Sequence, residues 1–180
     1  MVEMTVESIR VSLMTQHRVV ILKDQNAERY LPIWIGPFEA DAIALEMQEV
    51  RVARPLTHDL LRTVIAELGA TVTHVLINEL RDDTYYARIV LDVRGRHAEI
   101  DCRPSDAIAL AVRVKTRIFV DDDVMERAGL ALDNQSAVPA GDRESEPGGP
   151  APDDARLTVF RDFINSLDID DTDRPVDRSS

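Results

Sequence analysis

Cysteine is almost absent from this chain: Cys102 stands alone among 180 residues, which excludes an intrachain disulfide framework and any zinc site built from thiolates. A reducing, cytoplasmic compartment is the expected setting. Aromatic residues make up only 4% of the chain, so Trp34, Tyr85 and Tyr86 are expected to pack rather than to stack on bases. No apolar run approaches the roughly 18 residues that span a bilayer, and the N-terminal MVEMTVESIRVSLM carries acids where an export signal carries bases. No membrane association is expected. Sharp catalytic signatures are missing too: there is no Walker loop, GxGxxG, HExxH or GxSxG.

Positive charge is in short supply. The formal net charge is -12, and residues 1–130 hold 16 Lys/Arg against 21 Asp/Glu while residues 131–180 hold 5 against 12. Acidity on this scale argues against tight non-specific attachment to a phosphate backbone, which depends on counterion release by Lys and Arg. The milder first part leaves room for a local basic face. Its cations are mostly arginine, suited to bidentate contacts with phosphate or carboxylate.

What is present is a repeat. DAIAL occurs in GPFEADAIALEMQ and again in DCRPSDAIALAVR, each time shortly after a proline. Before the first copy, Ile9, Val11 and Leu13 alternate with polar residues, Val19 to Leu22 form a β-branched run, and Leu31, Ile33 and Ile35 alternate again. Pro32 lacks a ladder donor and marks an edge or a strand paired on one side. Before the second copy come Thr71 to Leu80, the alternation Tyr85 to Val93, and Ala98, Ile100 and Cys102, with turns at Asp82-Asp83 and Arg94-Gly95. Each series then enters a helix, the first with Phe38, Ala42 and Leu45 on its core stripe, the second with Ser105 as its cap. Both helices are apolar nearly all round, so both are expected to be buried between layers, with Asp41 and Asp106 in their first turns. The expected fold class is α+β, an internal duplication of two β-β-β-α units. RPLTHDLLRTVIAELG supplies an inserted helix between them, with Thr57 as cap, Gly69 as stop and Leu60, Leu61, Val64, Ile65 and Leu68 at helical spacing. Arg117 to Val120 reads as a short strand and Asp121 as the cap of a short helix. The chain divides into a domain over 1–130, an acidic flexible linker over 131–155, and a C-terminal helix and tail over 156–180.

Polar residues gather at element boundaries. His58 and Asp59 fall in the first turn of the inserted helix, while Asp101, Arg103 and Asp106 lie within six residues of a strand-to-helix turn, where backbone amides and a helix N-terminus favour an anion and carboxylates suit Mg²⁺ or Mn²⁺. The bland reading is that such residues only cap helices and form turns. His17, His74 and His97 have no partner at ligand spacing.

In RYLPIWIGPFEADAIALEMQ, RPLTHDLL and RPSDAIALAVR, taken in that order, the chain resembles the bifunctional nuclease (BFN) domain family of bacterial and plant proteins over about Val6 to Leu130. The resemblance implies a duplicated α+β domain, self-association into a homo-oligomer, and activity on phosphodiester bonds in both RNA and DNA. Glu39, Thr57, His58, Asp59, Arg103, Ser105 and Asp106 match the family's polar motif positions. From the match, Glu39, His58, Asp59 and Asp106 are catalytic candidates, with His58 as acid or base, and Arg54, Arg103 and Ser105 are candidate nucleic-acid contacts. A divalent metal, Mg²⁺ or Mn²⁺, is an open requirement. The rival expectation is a non-catalytic oligomeric binding or regulatory module.

Overall fold

The computed structural model describes residues 1–11 and 17–131; the linker and C-terminal helix read from the sequence fall outside the described residues. The elements run β1 (Val2–Val11), β2 (Arg18–Asp24), β3 (Arg29–Ile35), α1 (Pro37–Met47), α2 (Thr57–Glu67), β4 (Ala70–Arg81), β5 (Thr84–Val93), β6 (Arg96–Cys102), α3 (Pro104–Val114), β7 (Arg117–Val120), α4 (Asp122–Ala128) and β8 (Leu130–Ala131). This is an α+β chain in which strand, strand, strand, helix occurs twice, with α2 between the two series.

The described strands form one sheet in the order β6-β5-β4-β7-β1-β2-β3-β8. β1-β2-β3 and β4-β5-β6 are antiparallel meanders. They do not meet directly. β7 lies between them, antiparallel to β1 and parallel to β4, and sets Ile118 opposite both Met4 and Val75. Four residues suffice because Ile118 and Val120 are buried at 5% and 0% exposure. β4 carries irregularities at Val72/His74 and Ile77/Glu79, which add twist to a long strand. Pro32 faces Ile21 on β2, while β8 pairs only with Arg29 and Tyr30. Among the described residues the missing amide therefore falls where β3 has no second neighbour, as the sequence predicts.

α3 lies between the sheet and the other helices, packing on β4, β5 and β7 and on α1 and α2. Ala107, Ile108, Ala109, Leu110 and Ala111 are all essentially inaccessible. The alanines let neighbouring backbones approach closely, and each fully buried large side chain such as Ile108 or Leu110 contributes about 1.5–3 kcal/mol relative to exposure. The expectation of a helix buried on all sides holds for α3 but not for α1. In α1 only Ala40, Ala42 and Ile43 are buried, and Phe38, placed on the core stripe by its spacing, is 84% exposed. It precedes the first full turn and points away from the face that α3 covers. α2 behaves similarly: Ile65 is buried and Leu61 packs on the core, whereas Leu60, Val64 and Leu68 stay exposed.

The DAIAL repeat also changes meaning. Pro37 and Pro104 are the first residues of their helices, after the extended Gly36 and Arg103, the position where a missing amide costs nothing. DAIAL starts four residues after Pro37 but two after Pro104. Asp106 is in the first turn of α3; Asp41 is two residues deeper in α1, past its first turn, and meets Arg18 at 3.5 Å. In α1 the first-turn acid is Glu39. Two predicted caps shift as well, since Leu56 and Arg103, not Thr57 and Ser105, occupy the N-cap positions.

Candidate active site at three helix N-termini

The first-turn acids of α1, α2 and α3 are Glu39, Asp59 and Asp106. Each sits three residues past its N-cap, where a carboxylate reaches back toward free amides and the positive end of the helix. Glu39 folds over Gly36, where a Cβ would lie 2.3 Å from Glu39 Oε2. Because α1 and α2 both flank α3, their N-termini converge on one cleft of about 360 Å³ lined by residues that include Phe38, Glu39, Thr57, His58, Arg103 and Asp106.

Within it Arg103 is the hub. Its Nη2 donates to Glu39 Oε1 at 2.6 Å and to Asp106 Oδ1 at 3.0 Å, and its Nε donates to Asp106 Oδ2 at 2.8 Å. The two carboxylates hold the guanidinium still more firmly protonated than usual. On the other side, His58 Nε2 lies 3.2 Å from Asp106 Oδ1. Burial alone would push the Asp106 carboxyl up, but Arg103 and His58 outweigh it and bring it below the usual carboxylate range. An ionised Asp106 can only accept, so Nε2 carries the proton and Nδ1 is the basic nitrogen of the neutral ring. His58 is 7% exposed while Arg103's side chain is 65% exposed. The exposed charges lining the pocket are therefore the Arg103 guanidinium and the Asp41 carboxylate, whose side chain is 61% exposed, with the imidazole behind them.

Four of the sequence candidates, Glu39, His58, Arg103 and Asp106, thus come together, with Thr57 beside them. The other three do not. Asp59 turns away from His58: it accepts the Leu56 amide at 2.8 Å and the Nε of Arg113 at 2.8 Å. Neighbouring residues on a helix point about 100° apart, which separates the two. Arg54 lies on a different cleft, together with Asp59. Ser105 is 6% exposed in the first turn of α3 and takes no part in lining the pocket.

The sequence reading missed Arg113. Its side chain is 1% exposed, and besides Asp59 it donates to Ala109 O at 2.8 Å and Ala42 O at 3.0 Å, tying α1, α2 and α3 together behind the pocket. The available signal was an arginine on the Ala109 stripe of an otherwise apolar helix, since a fully buried cation requires a partner.

The donor set does not fit a divalent metal. Among the described residues no group of three or more His, Cys, Asp or Glu side chains is placed to hold an ion. Glu39 and Asp106 already share a guanidinium, which stands where a cation would bridge them.

Fold and site together define an α+β domain with an arginine-carboxylate-histidine pocket at three helix N-termini. The chain belongs to the bifunctional nuclease domain family, whose defining pattern matches residues 20–133. An uncharacterized protein of Mycobacterium tuberculosis is 40% identical over 169 residues, 94% of this chain and 96% of that protein. Bifunctional nuclease 1 of Oryza sativa subsp. indica is 28% identical over 119 residues, 64% of this chain and 36% of its own. Bifunctional nuclease 2 of Arabidopsis thaliana is 24% identical over 166 residues, 84% of this chain and 50% of its own. The plant proteins are thus at least twice as long as the part they share with this chain.

Proposed function

We propose that this chain is a cytoplasmic phosphodiesterase that cleaves RNA and DNA at the pocket formed by Glu39, His58, Arg103 and Asp106. The observation that carries the reading is the convergence of a histidine, its carboxylate partner and a largely exposed guanidinium at the N-termini of three helices, in a family whose plant members are called bifunctional nucleases. Arg103 meets the phosphate oxygens, with a guanidinium fork that matches them. Asp106 orients the imidazole. His58 takes a proton from the attacking water as its oxygen bonds to phosphorus; the phosphorus–oxygen bond to the leaving sugar breaks, that oxygen takes a proton from solvent, and His58 returns its own proton to solvent. Glu39 holds Arg103 in place. The described side chains provide this without a built metal site, so no step here passes through a metal.

The test is cleavage of labelled single- and double-stranded RNA and DNA by the purified full chain, with and without EDTA. His58→Ala should lower the rate by roughly 10²- to 10⁴-fold, the usual share of general acid–base catalysis, and Arg103→Gln should weaken substrate binding. No cleavage, or cleavage unchanged in both variants, overturns it. One observation favours a second reading: Arg103 already closes on both carboxylates, as in a resting recognition site. A non-catalytic module, self-associating through the exposed Leu60 and Val64 of α2 and Leu68 just after it, would bind the same oligonucleotides without turnover.

A further inference from the structure

A second cleft, larger than the His58 pocket, lies apart from it. It has a volume of about 830 Å³ and lies on the other side of α2, between the connection that follows α1 and the C-terminal end of α3. Five cationic side chains reach it: Arg51 and Arg54 from the connection, Arg62 from α2, Lys115 at the end of α3 and Arg117 at the start of β7. Among the described residues none of the five forms an ion pair. Of the acids on the same walls, Asp59 is committed to Arg113 and to the Leu56 amide, and Glu3 is hydrogen-bonded by Gln25; Glu46 and Glu49 complete the set. Elsewhere arginines pair readily, as Arg18, Arg29, Arg88 and Arg103 do. In a chain of net charge -12, five cations against four acids around one concavity are a local excess of positive charge, even though Arg117 also lies over the Phe119 ring and Arg62 acts on Asp59.

The cleft has an apolar side as well. Met47, Val50 and Val52 line it and are 42%, 47% and 41% exposed, so the connection presents valines and arginines in alternation. The volume falls within the range of small-ligand sites, roughly 300–1,000 Å³. Inorganic phosphate alone would leave the apolar wall uncovered.

We propose that this cleft is a second binding site, for a phosphate ester with a flat or apolar body, of nucleotide size. Arg51, Arg54 and Arg62 hold the phosphate groups by charge-assisted hydrogen bonds, and the Val50–Val52 wall takes the body. A free nucleotide and the end of a nucleic-acid strand offer the same chemistry. The site stands apart from the His58 pocket and does not rest on catalysis there.

The experiment is titration of the full-length chain with pyrophosphate, ADP and a short single-stranded oligonucleotide by calorimetry, at low and high salt. Arg51→Ser/Arg54→Ser/Arg62→Ser is compared with Arg10→Ser/Arg81→Ser/Arg96→Ser, which removes equal charge from exposed positions outside the cleft. ADP should bind more tightly than pyrophosphate, and the cleft variant should lose about tenfold or more in affinity, as expected for lost charged contacts, while the control keeps wild-type binding. ADP binding identifies a free-nucleotide site; cleft-dependent oligonucleotide binding without ADP binding identifies a strand-end site. Equal losses in both variants, or no binding of any probe by wild type, overturn the proposal. Melting curves of both variants establish that each is folded. Loss of cleavage in His58→Ala with nucleotide binding intact separates this site from the proposed active site.

Discussion

Asp59→Asn tests whether Asp59, a catalytic candidate by position, is in fact structural. Arg113 is 4% exposed, and its Nε donates to Asp59 while its two amino groups donate to Ala109 O and Ala42 O. The substitution keeps the shape but removes the countercharge. It also sets an amide against two donors, since either the Leu56 amide or Arg113 must lose its acceptor. Removing one partner of a buried pair costs about 3–5 kcal/mol, and the 17% exposure of Asp59 places the expected loss near the lower end. With a urea m-value of about 2 kcal/mol/M, a loss of ~3 kcal/mol moves the unfolding midpoint by roughly 1.5 M. Asp59→Leu/Arg113→Met should be less destabilised than the sum of its single variants, because replacing both charges leaves neither one stranded. The pair also fixes a pH dependence. Burial tends to raise the Asp59 carboxyl, but the Leu56 amide and Arg113 prevail and bring it below the ordinary value. A carboxyl depressed in the folded state stabilises above its unfolded pKa of about 3.9, and that contribution is lost as pH falls through the folded value. Wild type should therefore lose stability below about pH 4 more steeply than Asp59→Asn. Urea melts followed by circular dichroism between pH 3 and 7 read both effects. A cost below about 1 kcal/mol, the range of exposed pairs, would refute the reasoning.

Cys102 should alkylate slowly: burial, with Asp106 and Asp101 nearby, pushes its thiol up to about 11, leaving roughly 300-fold less thiolate at neutral pH than an ordinary cysteine near 8.5; mass spectrometry during iodoacetamide treatment of the native protein would show this, and a rate matching free cysteine would contradict it. Gly129→Ala should destabilise by about 1–3 kcal/mol, because the added Cβ would collide with the backbone oxygen of Met125, which cannot swing aside as the Met125 side chain can, and thermal melts give the answer. Phe38→Ser should change stability by no more than about 0.5 kcal/mol, given 84% exposure, whereas Ile43→Ala in the same helix should cost about 2–5 kcal/mol; equal melting shifts would mean that α1 packs differently.

Much of this protein was settled by its sequence alone, because the deciding forces act within a few residues. Period-two alternation placed the strands around Leu31 and Tyr85, Arg94-Gly95 supplied the positive-φ turn, Asp121 capped α4 through the Asp123 amide, and a helix apolar on every side announced α3 as an interior element. Which first-turn residues share a pocket depends instead on how three helices pack, and this the tertiary structure decided. DAIAL recurs as letters but starts at different depths in α1 and α3. His58 and Asp59 are adjacent in sequence yet serve different sites, because one helical step turns the second toward Arg113. Arg103 and Glu39, 64 residues apart, meet only because α1 lies against α3, and Arg54 goes to another cleft because the connection after α1 runs along the far side of α2. Local periodicity determines how each segment folds and which face it buries; the distances between side chains on different segments are set by long-range packing, which no short window of sequence contains.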